Sequence, residues 1–296
     1  MHKAVALIMM MVFSTNGFKQ SAIPIEAYGV WAKSGEYDPT DPDYDYVRAL
    51  SSNSKWQDIQ PTCKRHFDWA QTQTALQLAY DRNQMIYLSI GPGPDAPQWI
   101  YDQGVPKVTT RDGKRKWPYY PYYLDQDYIT FYHHLIQEYG KFLRTLPQHL
   151  VERIAFIQVK TGCTGDEAPY KGKVIDAQFE ISKAQWLKFR LRAFEQFRLA
   201  FLVGSLPKIP LLFNNIAPDK NPEAWYWVKT NIQSGFGFKG SAFVRGHHLS
   251  GERTFTEYWK PYTINPQGLV LFSRAEMDQS WKKPLFQLNE SLSYLE

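Results

Sequence analysis

Residues 154–171, IAFIQVKTGCTGDEAPYK, constrain the fold more than any other stretch. They open as an unbroken apolar run, Ile154-Ala155-Phe156-Ile157, carried on through Val159. A run this short with no alternation is the pattern of a strand buried on both faces, and such strands belong to parallel sheets. The run then gives way to small residues, Thr161-Gly162-Cys163-Thr164-Gly165, and presents Asp166-Glu167 just past the strand end. The stretch therefore joins a buried strand to a glycine-rich loop that holds two carboxylates.

The same pattern recurs along the chain. Strands are expected over residues 25–31, 46–50, 85–90, 154–159, 209–213, 238–245 and 269–272. Helical periodicity falls between them, over 67–83, 125–146 and 183–203, with a shorter stretch around Trp225-Tyr226-Trp227. Strands that alternate with helices imply a parallel sheet with right-handed crossovers. Seven such units favour a closed (β/α)8 TIM barrel over an open doubly wound sheet. No Gly-x-Gly-x-x-Gly follows the first strand, which argues against a dinucleotide site. An eighth strand is not visible after residue 272, so the expectation is either a piece of a longer protein or a barrel incomplete at its C-terminal side. Neither an internal repeat nor a linker marks a second domain.

Residues 1–20 read as a secretory signal: His2-Lys3, an apolar segment from Ala4 to Phe13, then Ser14-Thr15-Asn16-Gly17. The apolar run is too short to span a bilayer. The expectation is an exported barrel domain over residues 21–296. Export permits a disulfide between Cys63 and Cys163, and each could equally be a small buried hydrophobe. The pairs His133-His134 and His247-His248 lack metal-ligand spacing, and no cofactor is expected. The net charge of +5 is dispersed. The one dense basic run, Arg111-Asp112-Gly113-Lys114-Arg115-Lys116, reads as a solvated loop, not a nucleic-acid site. Contact with a sulfated or otherwise anionic polysaccharide is the alternative kept for it. Aromatic residues make up 16% of the chain, with 10 Trp and 19 Tyr. Most must be core, but Tyr and Trp also suit sugar rings, which have apolar faces and polar rims.

Polar residues gather at the strand ends: Asn53 and Trp56, Asp95, Asp166 and Glu167, Asn214 and Asn215, His247 and His248, Arg274, Glu276 and Asp278. In a parallel barrel these ends share one rim, where the chemistry of such folds is built. Retaining glycoside hydrolysis needs one protonated carboxyl to donate to the leaving oxygen and one ionised carboxylate to attack the anomeric carbon. Glu167 after the fourth strand and Glu276 after the seventh are the candidates. Asn53, Trp56, Trp99, Asp166, Asn214, His247, Arg274, Asp278 and Trp281 are the candidates for holding substrate.

On these residues the chain resembles the clan A glycoside hydrolases, (β/α)8 enzymes of the β-galactosidase type and especially the family 42-like members. The resemblance covers residues 26–281. It rests on Trp56-Gln57-Asp58-Ile59-Gln60-Pro61, on Pro97-Gln98-Trp99-Ile100 with Gly104-Val105-Pro106, on Gly165-Asp166-Glu167 and on Glu276. It implies that Glu167 is the acid/base and Glu276 the nucleophile. The clan has Asn before its acid/base, where this chain has Asp166. The resemblance further implies a β-linked, galactose-containing oligo- or polysaccharide substrate. A carbohydrate-binding barrel without catalysis is the alternative. A lyase would need a Tyr/Lys base, and a metal-dependent hydrolase a His/Asp cluster.

Overall fold

The computed structural model describes residues 8–10, 23–33, 40, 47–111, 118–163, 168–204, 208–218, 220–242 and 270–276 of the 296. Eight strands close into a barrel: β1 Ile8–Met10, β2 Gly29–Lys33, β3 Val47–Lys55, β4 Met85–Gly91, β5 Ile154–Gln158, β6 Leu211–Asn214, β7 Phe236–Ala242 and β8 Val270–Glu276. Neighbours from β2 through β8 pair parallel in sequence order. This is the (β/α)8 architecture with seven parallel strands. The eighth position, between β2 and β8, is taken by β1, which runs antiparallel to both. Ile8 is the register partner of Trp31 on one side and of Glu276 on the other. An apolar run of this length serves equally as the middle of a leader and as a first core strand, the alternative that its methionines, lack of alternation and place at the start of the chain count against in the sequence.

The helices that separate the strands include α2 Ala70–Asp81, α4 Gln126–Thr145, α6 Lys183–Leu202 and α7 Pro222–Asn231, with two single turns, α1 Trp56–Ile59 and α5 Gln148–Val151, and a short α3, Gln98–Asp102. Local chemistry sets their starts. Asp125 accepts a hydrogen bond from the Tyr128 backbone N–H at the head of α4. Ser182 and Gln185 form a reciprocal capping box at the head of α6. The apolar faces of α4 and α6 meet through Tyr128, Tyr132 and Phe189, all buried.

Strand limits differ from the sequence expectation where strands carry polar residues. β3 continues through Lys55, past the expected end at 50, and β8 continues to Glu276, past 272. Residues 25–27 form a 3-10 turn, with the Ala27 N–H donating to the Pro24 carbonyl, so β2 begins only at Gly29.

Candidate active site

Side-chain alternation along the strands builds two layers inside the barrel. The lower layer is aromatic. Trp31, Tyr87, Phe156 and Phe272 are all under 4% exposed and pack with Ala49, Met85 and Leu212. Tyr87 and Phe156 stack at 5.1 Å and 5°, Trp31 lies 5.6 and 5.5 Å from them, and Phe272 lies 5.0 Å from Phe156. β7 passes this cluster with Gly237, where a Cβ would overlap the Phe272 ring. Only glycine lets the backbone come that close.

Period two then decides what stands above. Two residues on from Tyr87 is Ser89, from Phe156 Gln158 and then Lys160, from Leu212 Asn214, from Gly237 Lys239, and from Phe272 Arg274. These residues form the polar layer, together with Asn53 of β3, the register partner of Ser89. Arg274 lies lowest and is 1% exposed. Its Nη1 donates to Gln158 Oε1 at 2.8 Å and its Nη2 to the Tyr87 hydroxyl at 2.9 Å, with the guanidinium 4.5 Å over the Tyr87 ring. One side chain so ties β8 to β5 and β4 across the interior. A buried charge is tolerated only where hydrogen bonds replace water.

Higher up, Asn53 Oδ1 accepts from both Ser89 Oγ at 2.5 Å and Lys160 Nζ at 2.8 Å. Asn53 is exposed and Lys160 half-buried, so the layer is open at this edge. The Lys160 carbonyl in turn accepts from the Tyr132 hydroxyl of α4. Asn214 closes β6, 3% exposed. It is fixed by Arg190 of α6, whose Nη2 donates to the carbonyls of Asn214 at 3.1 Å and Asn215 at 3.2 Å. Asn215 holds a positive φ of 51°, which turns the chain sharply off the strand end. The Asn214 side-chain Nδ2 is buried with no hydrogen-bond partner among the described residues. Lys239, its register partner on β7, is 8% exposed.

The sequence candidates fall into four groups. Asn53, Asn214 and Arg274 share the polar layer, with Arg274 beneath the other two. Trp56 and Trp99 lie outside the barrel, in the core between strands and helices. They are 0% and 8% exposed, meet edge to face at 6.4 Å, and both donate to Gln60, to its Oε1 and to its carbonyl. A ring enclosed in this way presents no face to a sugar. Glu276 is the last residue of β8, with Ala242 and Ile8 as backbone partners. Asp166, Glu167, His247, Asp278 and Trp281 lie outside the described residues. The reading of strand ends alone passed over Ser89, Gln158, Lys160 and Lys239, although period-two counting from Tyr87, Phe156 and Gly237 marks all four.

A short ladder within the loop after β4 pairs Lys107–Val108 with Tyr120–Pro121, and a second, Thr110–Arg111 to Lys173–Val174, joins that loop to the one after β5. Beneath them Tyr123 packs against Tyr128, Tyr170, Trp186 and Phe189. Burial pushes the Tyr123 hydroxyl well above the ordinary phenol range and keeps it protonated. Much of the aromatic excess is thus core. No disulfide joins Cys63, which is exposed, to Cys163, which is buried and donates to the Ala168 carbonyl. No helix among the described residues is long and apolar enough to cross a membrane.

No family model matches the chain, and no curated protein matches it in sequence. Several solved structures are similar to parts of the chain. Xylanase 10B from Thermotoga petrophila RKU-1, in complex with xylobiose, is 14% identical with a TM-score of 0.40, over 76% of this chain and 61% of that one. The β-galactosidase from Rahnella sp. R3 is 10% identical with a TM-score of 0.43, over 75% of this chain and 40% of that one. TsXylA, an intracellular xylanase from Thermoanaerobacterium saccharolyticum, is 14% identical with a TM-score of 0.42, over 78% and 67%. The match thus spans 61% and 40% of the first two proteins. Likeness at this level assigns neither family nor activity.

Proposed function

We propose that the chain is a secreted retaining glycoside hydrolase acting on β-linked, galactose-containing glycans. The observation that carries this reading is the polar layer above a closed aromatic floor, at the rim where the seven parallel strands end. Barrels of this class build their active sites at that rim. In the proposed reaction Glu276 attacks the anomeric carbon while Glu167 protonates the leaving oxygen. The glycosyl ester on Glu276 is then hydrolysed by a water that Glu167 deprotonates, and the two inversions give net retention. Asp166 beside Glu167 would raise the pKa of one of the two, as an acid catalyst needs. His247, Asp278 and Trp281 remain candidates for holding the sugar. Asn53 and Asn214 are suited to sugar hydroxyls, since their amides both donate and accept.

The test is a panel of β-galactans and β-xylans given to the purified protein, with the anomer released followed by proton NMR. Release of the β-anomer before mutarotation is expected. An initial α-anomer would overturn retention, and no cleavage across a broad panel would overturn the enzyme. Secretion is tested separately by N-terminal sequencing of exported material. A start within residues 18–22 is expected, and a start at Met1 would contradict it. Such cleavage would remove β1 and leave the facing edges of β2 and β8 unpaired.

A further inference from the structure

We infer that the outer face of the small sheet formed by the loops after β4 and β5 is a docking surface for a sulfated polysaccharide, held by Lys107, Arg111 and Lys173. The inference rests on the reading of the barrel mouth as a sugar site and names the class of glycan brought to it. The extended stretch 107–111 pairs first with Tyr120–Pro121 and then with Lys173–Val174. Further bonds fix it. The Tyr122 N–H donates to the Pro106 carbonyl at 3.0 Å, the Ile175 N–H to the Thr109 carbonyl at 3.1 Å, and the Thr110 hydroxyl to the Lys171 carbonyl at 2.6 Å. Exposure follows strand parity. Lys107, Thr109 and Arg111 are exposed, while Val108 is buried and Thr110 half-buried. Lys173, also exposed, is the register partner of Arg111, so the two share the outer face. Ile175, two residues on, is 52% exposed.

The face carries one sign of charge. The acidic side chains nearest in sequence among the described residues are engaged elsewhere: Asp102 accepts from Gln98, and Asp176 from Gln178. Arg111 and Lys173 make no ion pair among the described residues. Like charges directly opposite on an antiparallel pair repel, and here the backbone ladder holds them together. Lys107 is steadied without being neutralised. Its ammonium lies 4.4 Å from the Tyr119 ring centre and 5.1 Å from that of Tyr101, and donates to Gln98 Oε1 at 3.4 Å. Further protons on that nitrogen stay available to an anion. Four residues of extended chain set Lys107 about 13 Å from Arg111. A single small anion cannot bridge that span, whereas a polymer charged at intervals can. Two of the three cations are lysines, point charges that do not ask for the flat two-point geometry of a carboxylate, and a sulfate ester suits them. Half-buried Tyr119 and exposed Ile175 offer apolar ground for the sugar rings between sulfates. All three cations stand on loops outside the barrel interior, apart from β8 and its Glu276.

The experiment measures binding to the full chain by calorimetry. The probes are a sulfated β-galactan oligosaccharide long enough to span about 13 Å, its desulfated form, a sulfated disaccharide, an oligogalacturonate of equal length and a DNA duplex of similar charge. Each is run at about 50 mM and about 300 mM NaCl, because screening weakens exposed charge contacts and spares neutral ones. The long sulfated chain should bind about tenfold tighter than the desulfated one and lose several-fold in affinity at high salt. Arg111→Gln and Lys173→Gln should each weaken it about threefold, and the double variant should lose most of the preference. Their thermal midpoints should equal or exceed that of the wild type, since the repulsion across the ladder is gone. Equal, salt-insensitive affinity for the sulfated and desulfated chains, or a preference untouched in the double variant, would overturn the inference. A disaccharide that binds as tightly as the long chain would overturn the extended face. Tighter binding of the galacturonate would overturn the sulfate, and tighter binding of DNA the glycan. Cleavage of neutral glycans with no preference for sulfated ones would sink this face and leave the hydrolase. Sulfate-selective binding controlled by Arg111 and Lys173, with no glycan cleaved, would sink the hydrolase and leave this face.

Discussion

The two halves of the barrel interior differ in what their side chains do for one another. In the lower half Trp31, Tyr87, Phe156 and Phe272 satisfy each other by contact, and none reaches solvent. In the upper half Asn53 and Lys160 lie at an open edge, Asn214 and Lys239 are buried beside them, and the Asn214 Nδ2 has no hydrogen-bond partner among the described residues. Arg274 is the boundary. Its bonds to Gln158 and Tyr87 seal the aromatic layer and put a positive charge under the polar one. A region that completes itself is built for stability, and one left incomplete is suited to a ligand.

Mutation should separate the halves by size of effect. Trp31→Ala deletes the largest ring of the lower layer and should cost about 3–5 kcal/mol in urea unfolding. A loss below about 1 kcal/mol would mean that the floor collapses easily and is not the packed element described. Arg274→Met should cost about 2–3 kcal/mol, because Gln158 and the Tyr87 hydroxyl lose their donor while buried. Tyr87→Phe in the Arg274→Met background should then cost less than in the wild type. Equal costs in the two backgrounds would deny the bond across the layers.

The upper half should respond in the opposite sense. Asn214→Leu removes a donor that has no partner among the described residues, so unfolding stability should hold within about 1 kcal/mol or rise, while glycan affinity falls. A large destabilisation with affinity intact would make Asn214 part of the floor. Lys160→Met, half-buried at the rim, should change stability by about 0.5 kcal/mol or less. A larger loss would show that its bond to Asn53 holds β3 to β5.

The two halves were also unequally legible in the sequence. The strands announce themselves where both faces are apolar: Met85 through Ile90 and Ile154 through Ile157 read directly. Where the interior face turns polar, the same rule stops early. Ser51 through Lys55 and Ser273 through Glu276 look like loops, yet they are strand, because backbone pairing continues after the inward residues change character. The eighth barrel position was hidden for another reason. Three apolar residues near the start, Ile8–Met10, carry methionines and no alternation, which count against a core strand in the sequence. Trp56 and Trp99 show the limit for aromatics. Residue type says that a ring must be covered, and only the fold says that Gln60, Tyr128, Tyr132 and Phe131 do the covering.

The most direct test of catalysis at the upper layer is chemical rescue of Glu276→Ala on an aryl β-glycoside with a good leaving group. Without the nucleophile, turnover should fall about a thousandfold or more. Azide, small enough to fill the space of the lost carboxylate, should restore part of it and yield the α-glycosyl azide, with inverted configuration. Wild-type turnover in Glu276→Ala, or rescue that leaves the configuration retained, would contradict the assignment.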